Sequence, residues 1–290
     1  MHTNELAISH QLVRRLIIDQ FPQWMDRPLT RVESSGTVHA IYRLGDDMAV
    51  RLPRLATFSP ALERECAVLP TLATLLPLEI PELLGRGAPS PSYPSTWSIL
   101  RWIDGEPMSA AAVDDPVDAA MRLGEFVVAM RSVTAAGEES PNQRGRPLPS
   151  TNTWTLESIA SIADEFDARR LTNLWETALA AEPWDGKPTW IHGDLLPANL
   201  IAKDGRLTAV IDFGETSIGN PTCDLVAGWW VFADEAREAF RLASEATPDA
   251  WNRARGWALS GAAGALAYYA ETNPMFADVA RTTLRRVLEP

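Results

Sequence analysis

The stretch that decides the fold runs Trp190-Ile191-His192-Gly193-Asp194-Leu195-Leu196-Pro197-Ala198-Asn199-Leu200-Ile201-Ala202-Lys203-Asp204-Gly205-Arg206-Leu207-Thr208-Ala209-Val210-Ile211-Asp212-Phe213-Gly214. Two apolar runs, Asn199 to Ala202 and Leu207 to Ile211, flank Lys203-Asp204-Gly205-Arg206. Asp-Gly at the centre of such a segment favours a two-residue type I′ hairpin. That turn places Asn199 opposite Val210, so Asp212 becomes the diagonal neighbour of Asn199 on one face, about 7–8 Å away at Cα. A side-chain carbonyl and a carboxylate converging in this way suit Mg²⁺, which takes few protein ligands and completes its shell with phosphates and water. Asp194 lies on the loop entering the hairpin, beside the cation rather than on it. Transfer of a phosphoryl group to an alcohol needs this division of labour: one group to accept or orient the hydroxyl proton, and metal to neutralise phosphate charge.

His192-Gly193-Asp194-x₄-Asn199 followed by Ile211-Asp212-Phe213-Gly214 resembles the motif pair of the aminoglycoside phosphotransferase family, which includes the macrolide kinases and shares the protein-kinase-like fold. The Asp–Asn spacing of five and the Asp–Asp spacing of 18 agree with that family. The resemblance spans nearly the whole chain. Ser34-Ser35-Gly36-Thr37 looks like the family's nucleotide loop, and Ala49-Val50-Arg51-Leu52-Pro53-Arg54 like its third strand. Leu62 to Pro70 looks like the helix bearing an acidic partner, Trp97 to Gly105 like the hinge, and Gly219 to Leu225 like the turn after the metal motif. The resemblance implies Asp194 as catalytic base or hydroxyl-orienting group, and Asn199 and Asp212 as Mg²⁺ ligands. It implies Ser35, Gly36 and Thr37 over the nucleotide, Arg51 on its phosphates with Glu65 as ion-pair partner, and the backbone of Arg101 and Ile103 on the adenine edge. His192 would brace the loop. The donor would be ATP or GTP. The chain departs from the family at Arg51, where lysine is usual, and at His39, where an Asn-like residue is common.

Outward from this segment, periodicity predicts a helix over 9–21 with Ser9 as N-cap. Strands are expected at Thr30–Glu33, Val38–Leu44, Met48–Leu52 and Trp97–Ile103. Helical spacing over 60–76 is interrupted by Pro70, which points to two shorter helices. Further helices are expected over Val117–Val133, Trp154–Ala181, 222–246, 249–271 and 275–288, with a surface loop over 137–153. Gly261 and Gly264 among alanines point to close helix packing. A β-rich front and a helical back give an α+β, bilobed, protein-kinase-like fold. The expected division is 1–103, a nucleotide-binding lobe, and 104–290, a catalytic and acceptor-binding helical lobe.

Composition narrows the function. The chain has 290 residues, 46% hydrophobic and 22% charged, and a net charge of −12. That charge argues against nucleic acid as a partner. No apolar stretch reaches the ~18 residues of a membrane span. The start, with His2, Asn4 and Glu5, lacks a secretory pattern, and the two cysteines form no disulfide framework, so a cytoplasmic location is expected. Residues 1–103 hold ten Arg and ten acids, and residues 104–290 hold 16 Lys+Arg against 28 Asp+Glu, so the whole excess of −12 lies in the second part. Such a field attracts a cationic small-molecule acceptor. Glu215, Asp224, Trp230, Asp234, Glu235 and Glu271 are the candidates for binding it, with Asp224 also placed to open a helix. A phosphotransferase acting on an aminoglycoside-type or other cationic antibiotic is the leading expectation. A macrolide kinase or a metabolic kinase of an amino alcohol, sugar or ketosamine shares the same motifs. A non-catalytic nucleotide-binding module is the third reading, and the intact Asp194, Asn199 and Asp212 set argues against it.

Overall fold

The structure is a computed structural model that describes residues 6–32, 38–134, 145–184 and 186–289. The nucleotide-loop candidates Ser35, Gly36 and Thr37 lie outside the described residues. The chain forms two compact units, Met1–Gly105 with Ala209–Glu215, and Glu106–Thr208 with Thr216–Pro290.

The first unit opens with helix α1 (His10–Gln20), whose start is fixed by Ser9 Oγ accepting the Leu12 amide at 3.2 Å. Strands β1 (Leu29–Val32), β2 (His39–Leu44) and β3 (Met48–Pro53) follow, then helix α2 (Ser59–Leu72) and strands β4 (Leu83–Gly87) and β5 (Trp97–Arg101). They build one antiparallel sheet in the order β1-β2-β3-β5-β4. Alternation sorts its faces. Tyr42, Leu44, Val50, Leu52 and Ile99 form a core with Val13, Leu16 and Ile17 of α1. The opposite face carries His39, Ile41 and Arg51; Ile41 pairs with Arg51 and His39 with Pro53. Strand β4 was not anticipated, because Leu83-Leu84-Gly85-Arg86-Gly87 has neither alternation nor β-branched residues. Helix α2 is continuous. Pro70 falls in its last turn, where it forfeits a single backbone bond, so the expected break does not occur. Residues 209–215 join this unit through a bond from the Val210 amide to the Glu79 carbonyl (2.9 Å).

The second unit contains β6 (Glu106–Pro107), α3 (Pro116–Ser132), α4 (Asn152–Ser161), α5 (Ala168–Ala180), β7 (Thr189–Ile191), β8 (Leu200–Lys203) and β9 (Arg206–Val210), whose last two residues belong to the first unit. After them come β10 (Ser217–Gly219), α6 (Ala227–Trp230), α7 (Asp234–Ala243), α8 (Pro248–Tyr269) and α9 (Pro274–Leu288). Two small sheets order as β10-β7 and β6-β8-β9. The single helix expected over 154–181 is two. Asp167 accepts the Arg170 amide (3.0 Å) and starts α5, which brings the Trp175 indole onto Asn152 Oδ1 at 2.7 Å. The helix expected over 222–246 is also divided, into a 3₁₀ turn (Pro221–Val226), α6 and α7. Trp229 packs on Trp251, Trp230 on Phe276 and Phe232 on Phe240. On one continuous helix Phe232 and Phe240 would lie about 12 Å apart along the axis, whereas the break brings their rings to 5.6 Å. Gly264 is a close-packing site, since a Cβ there would lie 2.1 Å from the Trp154 ring, whereas one at Gly261 would make ordinary contact with Trp230 at 3.5 Å. The carbonyls at the end of α9 are capped by side chains, with Arg255 on Val287 O and Arg237 on Arg286 O. Among the described residues, no helix is long and apolar enough to cross a membrane.

Candidate active site

The hairpin read from the sequence is present. Asp204 and Gly205 connect β8 to β9 with φ of 50° and 73°, the two positive values that a type I′ turn requires. Its flanks differ from the expectation. Asn199 ends a 3₁₀ turn (Pro197–Asn199) rather than starting the strand, and Asp212 lies beyond β9 with φ 66°. Neither residue is in the ladder, so cross-strand pairing is not what orients them. Pro197 presets the turn, and Asp is among the few residue types that tolerate a left-handed backbone.

In the second unit, the loop after β7 is held from below. The amides of His192 and Gly193 donate to the two carboxylate oxygens of Asp224, each at 2.8 Å. Asp224 is buried, which raises its carboxyl above the ordinary range, while its electrostatic interaction with His192 and the two amide hydrogen bonds oppose the rise. Gly193 has φ 81°, so the loop reverses there at a residue without steric penalty. His192 is fully buried, and its Nδ1 accepts the Asp194 amide at 3.2 Å. Asn199 Nδ2 donates both to the Asp194 carbonyl and to Asp194 Oδ2, at 2.8 Å each. One amide thus fixes the carboxylate relative to its own backbone.

In the first unit, Arg51 is the centre of a buried cluster. Its Nη1 donates to Glu65 Oε1 (2.5 Å), and its Nη2 donates to Asp212 Oδ1 (2.8 Å) and to His39 Nδ1 (3.1 Å). Glu65, on α2, also accepts the Phe213 amide at 3.2 Å. Burial works against the guanidinium charge, but Glu65 and Asp212 outweigh it and hold Arg51 protonated. His39 has a pKa of about 3, lowered first by burial and then by the Arg51 charge, so its ring is neutral. At the expected hinge, the Arg101 amide donates to Glu82 O and the Trp102 amide to Asp47 O.

The acceptor candidates separate. Asp224 and Trp230 are buried, the first beneath the Asp194 loop and the second stacked on Phe276, so neither presents its side chain at the surface. Asp234, Glu235 and Glu271 are exposed and Glu215 is half-buried. Sequence reasoning missed the Arg51–His39 contact. The register would have shown it: with Ile41 opposite Arg51, His39 is the diagonal neighbour of Arg51 on the same face.

A five-stranded antiparallel sheet backed by a Glu-bearing helix, followed by a helical C-terminal part, is the protein-kinase-like fold of the antibiotic phosphotransferases. Wild-type aminoglycoside 2′-phosphotransferase-IIIa in complex with GDP matches 97% of this chain and 99% of its own, with a TM-score of 0.71 at 17% identity. A macrolide 2′-phosphotransferase from Brachybacterium faecium matches 97% and 98%, with a TM-score of 0.63 at 21% identity. In sequence, the viomycin phosphotransferase of Streptomyces vinaceus is 26% identical over 196 residues, 63% of this chain and 67% of that protein. The profile of the phosphotransferase enzyme family matches residues 30–257, and the chain belongs to that family.

Proposed function

We propose that this protein is a Mg²⁺-dependent kinase that moves the γ-phosphoryl group of ATP or GTP onto a hydroxyl of a cationic antibiotic. The observation that carries this reading is the pair of hydrogen bonds from Asn199 Nδ2 to the Asp194 carbonyl and to Asp194 Oδ2, which fixes the orientation of that carboxylate. Asp194 accepts the acceptor's proton as its oxygen bonds to phosphorus and the bond from phosphorus to the leaving nucleoside diphosphate breaks. Arg51, held protonated by Glu65, neutralises nucleotide phosphate charge. The backbone of Arg101 and Ile103 takes the base edge, and Ser35, Gly36 and Thr37 belong to the nucleotide loop. The unit containing residues 1–103 is then the nucleotide-binding lobe, and that containing most of 104–290 carries Asp194 and the acceptor site.

The residues present fit the metal. No three His, Cys, Asp or Glu side chains gather as a metal site among the described residues. Magnesium does not need them, since it takes one or two protein oxygens and completes its shell with phosphates and water. Asn199 Oδ1 and the Asp212 carboxylate are hard oxygen donors of that kind. When bound, the ion would neutralise phosphate charge and orient the phosphates.

The acceptor class rests on the excess of −12 in residues 104–290, with Glu215, Asp234, Glu235 and Glu271 as its candidate contacts. Viomycin, aminoglycosides and macrolides, the acceptors named by the similar proteins, make up the first panel, with choline and simple sugars as non-antibiotic controls. Release of ADP or GDP is measured with Mg²⁺ for the wild type and Asp194→Ala. Turnover stimulated by one antibiotic and reduced about 10³-fold in Asp194→Ala is expected. Equal turnover in the variant would remove Asp194 from the chemistry, and turnover only with choline or a sugar would remove the antibiotic as acceptor.

A further inference from the structure

We propose that His39 is the positioning residue for Arg51: its imidazole fixes the plane of the guanidinium that meets the nucleotide phosphates. The inference rests on the reading of Arg51 as a phosphate contact and extends it to a residue with no assigned role.

A lysine ammonium is a compact charge with three rotatable donors, and one carboxylate is enough to hold it. A guanidinium is a planar fork, useful to phosphate only when the plane is correctly turned. Partners on both Nη atoms, with the side-chain attachment at Nε as the third point, fix that plane. Glu65 takes Nη1 at 2.5 Å and His39 takes Nη2 at 3.1 Å. Asp212 also touches Nη2, at 2.8 Å, but as a candidate magnesium ligand it is the partner with a competing task. His39 is the one without such a task. Its place is set by the backbone, because the register of β2 and β3 makes it the diagonal neighbour of Arg51.

The chemistry of the ring suits the role. An arginine nitrogen can only donate, so Nδ1 must be the acceptor and the proton must sit on Nε2. A neutral acceptor orients the guanidinium without cancelling its charge, which a third carboxylate would do. The arrangement carries a cost to the fold. His39 is 6% exposed, and its Nε2 has no hydrogen-bond partner. A buried donor left unpaired is destabilising, and an apolar side chain of similar size would relieve it. A histidine kept here for packing alone would be a poor choice, whereas one kept for its Nδ1 is understandable.

The experiment uses the full chain with mant-ATP and mant-GTP in MgCl₂, reading Kd by fluorescence, and reads Tm without nucleotide. His39→Leu is expected to weaken the preferred nucleotide about tenfold, the scale of one hydrogen bond to a charged group, with Tm unchanged or raised. His39→Asn, whose amide oxygen can accept from Nη2, is expected to restore most of the affinity. Combining His39→Leu with Arg51→Lys should be strongly non-additive, since an ammonium has no plane to hold. A Kd within twofold of wild type in His39→Leu, or strict additivity with Arg51→Lys, would overturn the inference. So would a Tm lowered by several degrees without loss of affinity, which marks a structural residue. Arg51→Ala is the control that separates the two levels. If it weakens nucleotide and His39→Leu does not, the inference alone fails; if it leaves affinity intact, the reading of Arg51 falls.

Discussion

At the residue scale, two buried groups outside the cluster make stability fall with rising alkaline pH. Cys66, on the inner face of α2, has its thiol pushed up to about 11 by burial and by the neighbouring Glu65 charge. The Tyr93 hydroxyl donates to the Pro53 carbonyl at 2.7 Å, and burial raises it as well. Both groups bind their protons more tightly in the folded chain than in the unfolded one. The folded state therefore keeps their full contribution below the unfolded thiol value of about 9 and loses it as pH rises through the folded values. Urea unfolding is expected to give a constant stability up to about pH 8.5 and a steady decline between about pH 9 and 11. A midpoint that stays level through pH 11 would show that neither proton is held by the fold. The same burial predicts that neither Cys66 nor Cys223 reacts with a thiol reagent at neutral pH until denaturant is added.

At the element scale, the β8–β9 hairpin matters most, because Asn199 and Asp212 leave from its two ends. Gly205 has φ 73°, and a Cβ there would meet Asp114 Oδ2 at 2.1 Å, while the Gly205 carbonyl accepts the Asp114 amide at 2.8 Å. Gly205→Ala is expected to lower stability by about 1–2 kcal/mol, since it adds a left-handed penalty to a contact only Asp114 can relieve. Urea titration checks it, and Gly205→Asn should be milder because Asn tolerates that backbone. This turn was fully legible, because Asp-Gly between two apolar runs has few other solutions. Helix ends fixed by local caps were legible for the same reason, as at Ser9. What escaped depends on distant partners. Pro70 reads as a breaker in any window, yet its harm depends on how near the helix end falls. The division of 222–246 follows from Trp251, Phe276 and Phe240, none of which periodicity over that segment can see, Phe240 included, since its ring partner lies across the break. The cluster around Arg51 was half legible: Glu65 follows from the resemblance, but the contact with His39 needs the strand register.

For the whole molecule, charge separates by position along the chain rather than by element. Residues 1–103 are neutral and residues 104–290 carry the entire −12. Under the proposed function, a nucleotide and a polycationic acceptor would meet different parts of that charge, and salt should distinguish them. The Debye length shrinks from about 10 Å at 0.1 M to about 3 Å at 1 M, so attraction summed over scattered carboxylates such as Asp234, Glu235 and Glu271 fades first. Close, buried contacts such as Arg51 with Glu65 are screened far less. Raising KCl from about 0.05 to 0.5 M is expected to increase KM for a polycationic acceptor severalfold. Over the same range kcat should be nearly constant, and KM for a neutral acceptor should change less than about twofold. The acceptors' own charge is the control, because the nucleotide and the metal are common to both assays. If the two KM values rise together, salt acts on the shared nucleotide site, and the acidity of the second part serves solubility rather than capture of the acceptor.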